Sequence, residues 1–163
     1  MKYAIALGSN LGDSRSILES ALSRLEGVIA RTRSAVQASS WYQTKAVTLP
    51  NSPPQPDYLN GCAILETDLE PLELLAKLQH IESEFGRVRQ QKWDARTLDL
   101  DILLFEDGIF HSQMLNIPHP RMSDRAFVLV PLAEIAPDWQ HPVLHRSILE
   151  LARSIDASDV RKL

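Results

Sequence analysis

Asp99 and Asp101 stand two residues apart inside an otherwise apolar run, residues 98–105. In an extended strand both carboxylates project from one face, and Leu98, Leu100 and Ile102 from the other. Their backbones are then about 6–7 Å apart, at a rise of about 3.3 Å per residue. Two ionised acids beside apolar neighbours are costly unless cations offset them. A hard divalent ion does this economically, because Mg²⁺ accepts one or two carboxylates and completes its shell with water and substrate phosphate. The same spacing equally suits a partly exposed pair in salt bridges with Arg96 or Arg87. Immediately upstream lie Arg87, Arg89, Lys92 and Arg96, with Trp93 among them. Guanidinium forks match phosphate oxygens and stay charged at any relevant pH. Such a run alone is an ordinary solvated loop; beside two acids it suits a metal-bridged polyphosphate. A third stretch, residues 118–127, adds His119, Arg121 and Arg125 in a proline-bounded loop entering a helix. His119 suits phosphate hydrogen bonding or proton transfer, or simply a loop hydrogen bond, and Asp124 suits a helix N-cap.

Other nucleotide devices are missing. The loop at residues 8–13 follows a strand and opens a helix, but it lacks the Walker lysine and the third glycine of a dinucleotide fingerprint. There is no Gly-x-Ser-x-Gly elbow, and Cys62, with no histidine nearby in sequence, reads as core rather than nucleophile.

These groups need elements to hold them. Residues 2–7 form a short apolar strand ending at Gly8. Ile17, Leu18, Ala21, Leu22 and Leu25 then repeat at helical spacing, with Asp13 or Ser14 to cap the start and Gly27 a left-handed end. Residues 34–42 and 58–66 read as strands, separated by a loop holding Pro50, Pro53, Pro54 and Pro56. Leu74, Leu75, Leu78, Ile81 and Phe85 form a second helical stripe after Pro71, closed by Gly86. Residues 97–105 are the last core strand. The order βαββαβ predicts a ferredoxin-like α+β fold, one antiparallel sheet backed by two amphipathic helices, with short helices near residues 124–135 and 147–155.

At 163 residues, with 44% hydrophobic and 23% charged, the chain has the size of one domain, 1–163. It can bury a sufficient core without disulfides, and its lone cysteine suits the cytoplasm. No apolar run is long enough to span a bilayer, no signal-peptide pattern opens the chain, and a net charge of -4 argues against coating nucleic acid.

The chain resembles the 6-hydroxymethyl-7,8-dihydropterin pyrophosphokinase family. The marks are Ala6-Leu7-Gly8-Ser9-Asn10, Gln55-Pro56-Asp57-Tyr58-Leu59-Asn60, Gly86-Arg87-Val88-Arg89, Arg96-Thr97-Leu98-Asp99-Leu100-Asp101 and Ile117-Pro118-His119-Pro120-Arg121-Met122. The resemblance covers essentially the whole chain. It implies a ferredoxin-like fold, ATP as co-substrate, and diphosphate transfer to a pterin hydroxymethyl group with release of AMP, in folate biosynthesis. It implies two Mg²⁺ ions on Asp99 and Asp101, and Arg87 and Arg96 acting on the transferring phosphates. Gln79, Glu82, Arg89, Trp93, Ile102, His119 and Arg125 match positions around ATP. Tyr58 and Phe127 match an aromatic pair around the pterin, with Thr44 and Asn60 on its edge. A monomer without nucleic-acid or membrane partners is expected. Two other readings of the residues alone are a nucleotide-sensing domain without turnover and a single-strand binder stacking bases on Tyr58 and Phe127. The paired acids disfavour the first, and the acidic balance the second.

Overall fold

The computed structural model describes residues 1–10, 13–28, 36–45, 57–86 and 98–163. Its strands are β1 (Lys2–Ser9), β2 (Val36–Ala38), β3 (Tyr42–Thr44), β4 (Tyr58–Glu66), β5 (Asp99–Phe105), β6 (Phe110–His111), β7 (Asn116–Ile117) and β8 (Arg161–Lys162). Its helices are α1 (Ser14–Val28), α2 (Pro71–Gly86), α3 (Ala126–Ile135) and α4 (Ile148–Arg153), with a 3-10 turn at Met122–Asp124. The main sheet runs β5-β1-β4-β3-β8, with β2 also on β4, and every pairing is antiparallel. A small hairpin joins β6 to β7.

Alternation sorts the side chains into two cores. From β1, Tyr3, Ile5 and Leu7 pack with Leu18, Ala21 and Leu25 of α1 and Leu74, Leu78 and Ile81 of α2. These are the two stripes expected from the sequence. The opposite face, with Ala4, Cys62 and Leu104, is covered by Val128, Leu129 and Leu132 of α3 and by Ile148 and Leu151 of α4. The sheet is therefore clothed on both sides, where the sequence indicated one helical layer and some appended helices. Burial pushes the Cys62 thiol up, as suits a core residue.

Several boundaries differ from the sequence reading. The expected second strand divides into β2 and β3. Between them Ser39, Ser40 and Trp41 oppose only Gly61 and Cys62, because the register passes from Ala38↔Ala63 to Tyr42↔Asn60. This is a bulge, stitched by hydrogen bonds from Ser39 N to Cys62 O (2.8 Å) and from Cys62 N to Ser39 Oγ (2.9 Å). Trp41 packs on Gly61, where any Cβ would come within 2.5 Å of the indole. β1 continues past Gly8 to Ser9 because partners on both sides extend its ladder. Asp13 does cap α1, accepting from Ser16 N (3.3 Å) and Ser16 Oγ (2.8 Å). Helix α1 runs through Gly27, which therefore supplies no left-handed cap. Asp124 closes the 3-10 turn instead of capping α3, whose N-cap is Arg125 without a side-chain bond.

Candidate active site

Strand β5 lies at the sheet edge and presents Asp99 and Asp101, both partly exposed, on the face opposite the α1–α2 core. Their neighbours on β1 are Gly8, opposite Asp99, and Ala6, opposite Asp101. Two of the smallest residues thus leave room above the acids. The row through Asp99 and Gly8 continues to Asn60 on β4 and Tyr42 on β3. Asn60 is buried and donates from Nδ2 to Thr44 Oγ1 at 3.0 Å. Tyr58 sits across from Thr44.

The outer edge of β5 is anchored twice. Leu100 N, between the two aspartates, donates to Glu82 Oε2 of α2 at 2.9 Å. His119 N donates to Leu103 O, also at 2.9 Å, which brings the 118–121 loop alongside the strand. Burial holds the His119 imidazole below its usual range; nearby Asp101 opposes this shift, while Arg125 and Arg121 reinforce it. The His119 Nδ1 accepts from Arg121 N at 3.1 Å, which leaves Nε2 to carry the proton and donate.

The other wall comes from α3. Phe127 occupies the first turn, and the Arg125 guanidinium carbon lies 5.6 Å from the centre of its ring. Glu134, two turns on, accepts from Tyr42 Oη, from Ser40 N (2.9 Å) and from Ser40 Oγ (3.1 Å), tying α3 to β3. Although burial pushes the Glu134 carboxyl up, these bonds more than offset it and hold it below its ordinary value.

Between these walls lies a cavity of about 460 Å³ lined by Gly8, Thr44, Lys45, Tyr58, Asn60, Asp99, Asp101, Arg125 and Phe127, among others. That volume is within the usual range for small-molecule sites. The cavity thus gathers Thr44, Tyr58, Asn60, Asp99, Asp101, Arg125 and Phe127, seven residues singled out from sequence, while His119 stands beside Asp101. Gln79 is exposed on α2, Glu82 is committed to the Leu100 amide, and the Ile102 side chain is buried in the α1–α2 core; none of the three lines the cavity. Arg87, Arg89, Trp93 and Arg96 lie outside the described residues, as does most of the proline-rich loop before Asp57. Lys45, Asp156, Asp159 and Val160 line the cavity without having been expected. The last three lie more than 50 residues beyond β5 and carry no local motif, so only tertiary structure reveals them.

The donor set suits a hard cation in part. Among the described residues no cluster of three or more potential ligands occurs. Two carboxylates on one strand, facing open space above Gly8 and Ala6, match an ion that takes its remaining ligands from water and phosphate.

Gly8 has a specific part in this arrangement. A Cβ there would meet Asn60 Oδ1 at 3.0 Å, while Thr44 holds the other end of the same amide. Gly8→Ala is expected to displace the Asn60 amide and weaken binding of a heterocycle in the cavity about tenfold. The thermal midpoint should fall modestly, because the Asn60–Thr44 bond is disturbed with it. Titration of the heterocycle's fluorescence checks this; unchanged affinity would mean Asn60 does not face the ligand.

These features define a class: a ferredoxin-like α+β protein whose sheet sets paired carboxylates in the same cavity as an amide, a hydroxyl and two aromatic rings. The family model described as 7,8-dihydro-6-hydroxymethylpterin-pyrophosphokinase (HPPK) matches residues 4–137, and the chain belongs to this family. It is 44% identical over 156 residues to the 2-amino-4-hydroxy-6-hydroxymethyldihydropteridine pyrophosphokinase of Synechocystis sp., covering 96% of this chain and 77% of that one. With the enzyme of the same name from Haemophilus influenzae the identity is 48% over 138 residues, 85% of this chain and 83% of the other. Among solved structures, wild-type Plasmodium falciparum HPPK-DHPS with SDX-DHP superposes with a TM-score of 0.72 at 17% identity. That alignment covers 99% of this chain but 47% of the other, and shows a shared fold.

Proposed function

We infer that this chain transfers the diphosphate group of ATP to the hydroxymethyl oxygen of 6-hydroxymethyl-7,8-dihydropterin, releasing AMP, as a step of folate biosynthesis. One observation carries the reading: the acid pair and the heterocycle-binding set Thr44, Tyr58, Asn60 and Phe127 share a single cavity. A pterin laid in it reaches the carboxylate face with its substituent, so acceptor hydroxyl and polyphosphate meet there.

In this reading Tyr58 and Phe127 offer aromatic surface to the flat ring, and Asn60, both donor and acceptor, reads its polar edge with Thr44. The buried Asn60–Thr44 bond pre-orients the amide before substrate arrives. Asp99 and Asp101 hold Mg²⁺, two ions with ATP bound. When bound, the metal offsets charge on the phosphate oxygens. Arg125 and His119 add donors to the phosphates from the α3 side, and Arg87 and Arg96 neutralise charge that develops during transfer. The hydroxymethyl oxygen forms a bond to the β-phosphorus as the bond from that phosphorus to the AMP oxygen breaks, and the hydroxyl proton is released to water. Positioning and electrostatics dominate such a step.

Gln79 remains a nucleotide contact in this scheme, and Arg89 and Trp93 are assigned to ATP as well. Ile102, with its side chain in the core, can meet ATP only through its backbone. Glu82 supports the site through the Leu100 amide between the acids. We take the chain as one domain acting as a monomer in the cytoplasm. No helix among the described residues is long and apolar enough to cross a membrane.

Incubation with Mg-ATP and 6-hydroxymethyl-7,8-dihydropterin should yield AMP and pterin diphosphate in equal amounts. ADP with pterin monophosphate would overturn the assignment of the attacked phosphorus, and ATP binding without turnover would favour a sensor.

A further inference from the structure

The family match ends at residue 137, but the cavity does not: Asp156, Asp159 and Val160 complete its lining. They belong to the segment joining α4 to β8. That segment is built locally and then fastened. Ser158 N donates to Asp156 Oδ1 at 2.9 Å, and Val160 N donates to Ala157 O at 3.0 Å, so the turn carrying the lining residues has a defined shape. Directly after it, β8 pairs with β3 through Tyr42↔Lys162 and Gln43↔Arg161, and Leu163 N donates to Trp41 O at 3.0 Å. Strand β3 ends in Thr44, the partner of Asn60, and Lys45 follows it into the cavity wall. The segment therefore hangs from the strand that supplies one polar group for the heterocycle edge.

Its chemistry differs from that of the other walls. Val160, half-buried, adds apolar surface, and the two carboxylates, as acceptors, complement N–H donors. A reduced pterin carries N–H donors around its pyrimidine ring and no net charge, whereas an acidic pterin analogue brings an anion into the same cavity.

We propose that residues 156–160, docked on β3 through β8, form a substrate-selecting wall of the pterin cavity. Val160 packs against the heterocycle, and Asp156 and Asp159 favour a neutral, donor-bearing ring over an anionic one. This rests on the cavity being the pterin site. The wall binds and selects; the chemical step belongs to the groups around Asp99 and Asp101.

The test measures binding directly, by the fluorescence of 6-hydroxymethylpterin, with ATP affinity determined separately. In the full chain, Asp159→Ala combined with Val160→Ala should weaken the pterin about fivefold, and ending the chain after Ile155 should weaken it about tenfold or more. ATP affinity should stay within about twofold in both. Asp156→Asn with Asp159→Asn should shift the preference between pterin-6-carboxylate and 6-hydroxymethylpterin towards the carboxylate, by about threefold at low ionic strength. Should the shortened chain lose its circular-dichroism signature, the full-length substitutions decide alone. Pterin affinity within about twofold of the unsubstituted chain in every folded variant overturns the wall, as does a parallel loss of ATP affinity, the mark of general loosening. An unsubstituted chain that fails to bind the pterin at all refutes the underlying cavity reading instead.

Discussion

Asp99→Ala or Asp101→Ala should each lower turnover about 1,000-fold or more, with the fold and the pterin affinity retained. The expectation follows from where the strand puts these side chains. Both are partly exposed on the cavity face of β5, while Leu98, Leu100 and Ile102 hold the strand against α1 and α2 from the other side. Removing a carboxylate therefore takes nothing from the buried core, and a partly exposed acid contributes little to stability. What it removes is the anchor for metal-bound polyphosphate, an interaction that matters most when charge redistributes on the transferring group. Turnover in saturating Mg-ATP, set beside pterin binding and the thermal midpoint, checks the expectation. Near-normal activity in both variants would return the pair to the role of surface salt-bridge partners.

The second large effect concerns recognition. Asn60→Leu should reduce kcat/KM for the pterin about 100-fold or more and leave ATP affinity essentially unchanged. A site built to hydrogen-bond a heterocycle edge discriminates strongly, because losing the amide leaves ligand donors and acceptors unpaired. Asn60 is nine-tenths or more buried, is fixed by Thr44 and has Gly8, with no side chain, opposite it. Stability should fall as well, since Thr44 Oγ1 loses its donor, and a denaturant titration separates that loss from the kinetic one. Asn60→Asp supplies the complementary test: it keeps the shape but not the donors, and should bind the pterin poorly too. If both variants discriminate as the unsubstituted chain does, the pterin edge is read elsewhere.

Much of this site is legible in the sequence because β-strand alternation is a strict rule. The acid pair's common face, the apolar back of β5 and the two helical stripes all follow from periodicity, and the structure has them so. The convergence of Tyr58, Asn60 and Phe127 on that pair does not follow from periodicity. It was available only from the resemblance carried by the short motifs, and the fold then brings the residues together through the pairing of β1 with both β4 and β5.

Three kinds of feature stayed hidden for identifiable reasons. The bulge at Ser39–Trp41 depends on Trp41 covering Gly61, a contact across two strands that no local pattern announces. The division of labour on α2 was equally opaque: Gln79 and Glu82 are one turn apart and similar in type, yet Glu82 is bonded to the Leu100 amide. The wall at 156–160 comes from a turn before a two-residue strand, too short for any hydrophobic signature and placed only by its pairing with β3. Charge offered a further lesson. The chain carries a net -4, but four of its 17 lysines and arginines, Arg87, Arg89, Lys92 and Arg96, fall immediately before the acid pair, so the average conceals a short cationic run beside it.

The central claim is that one cavity joins the pterin set to the acid pair. A crystal structure of the chain with 6-hydroxymethylpterin, a non-hydrolysable ATP analogue and Mg²⁺ tests it most directly. The account predicts the ring in contact with Tyr58 and Phe127, its edge on Asn60, and metal bound by both Asp99 and Asp101 alongside the phosphates. A ring bound away from Asn60, or metal held with neither aspartate in contact, would contradict it.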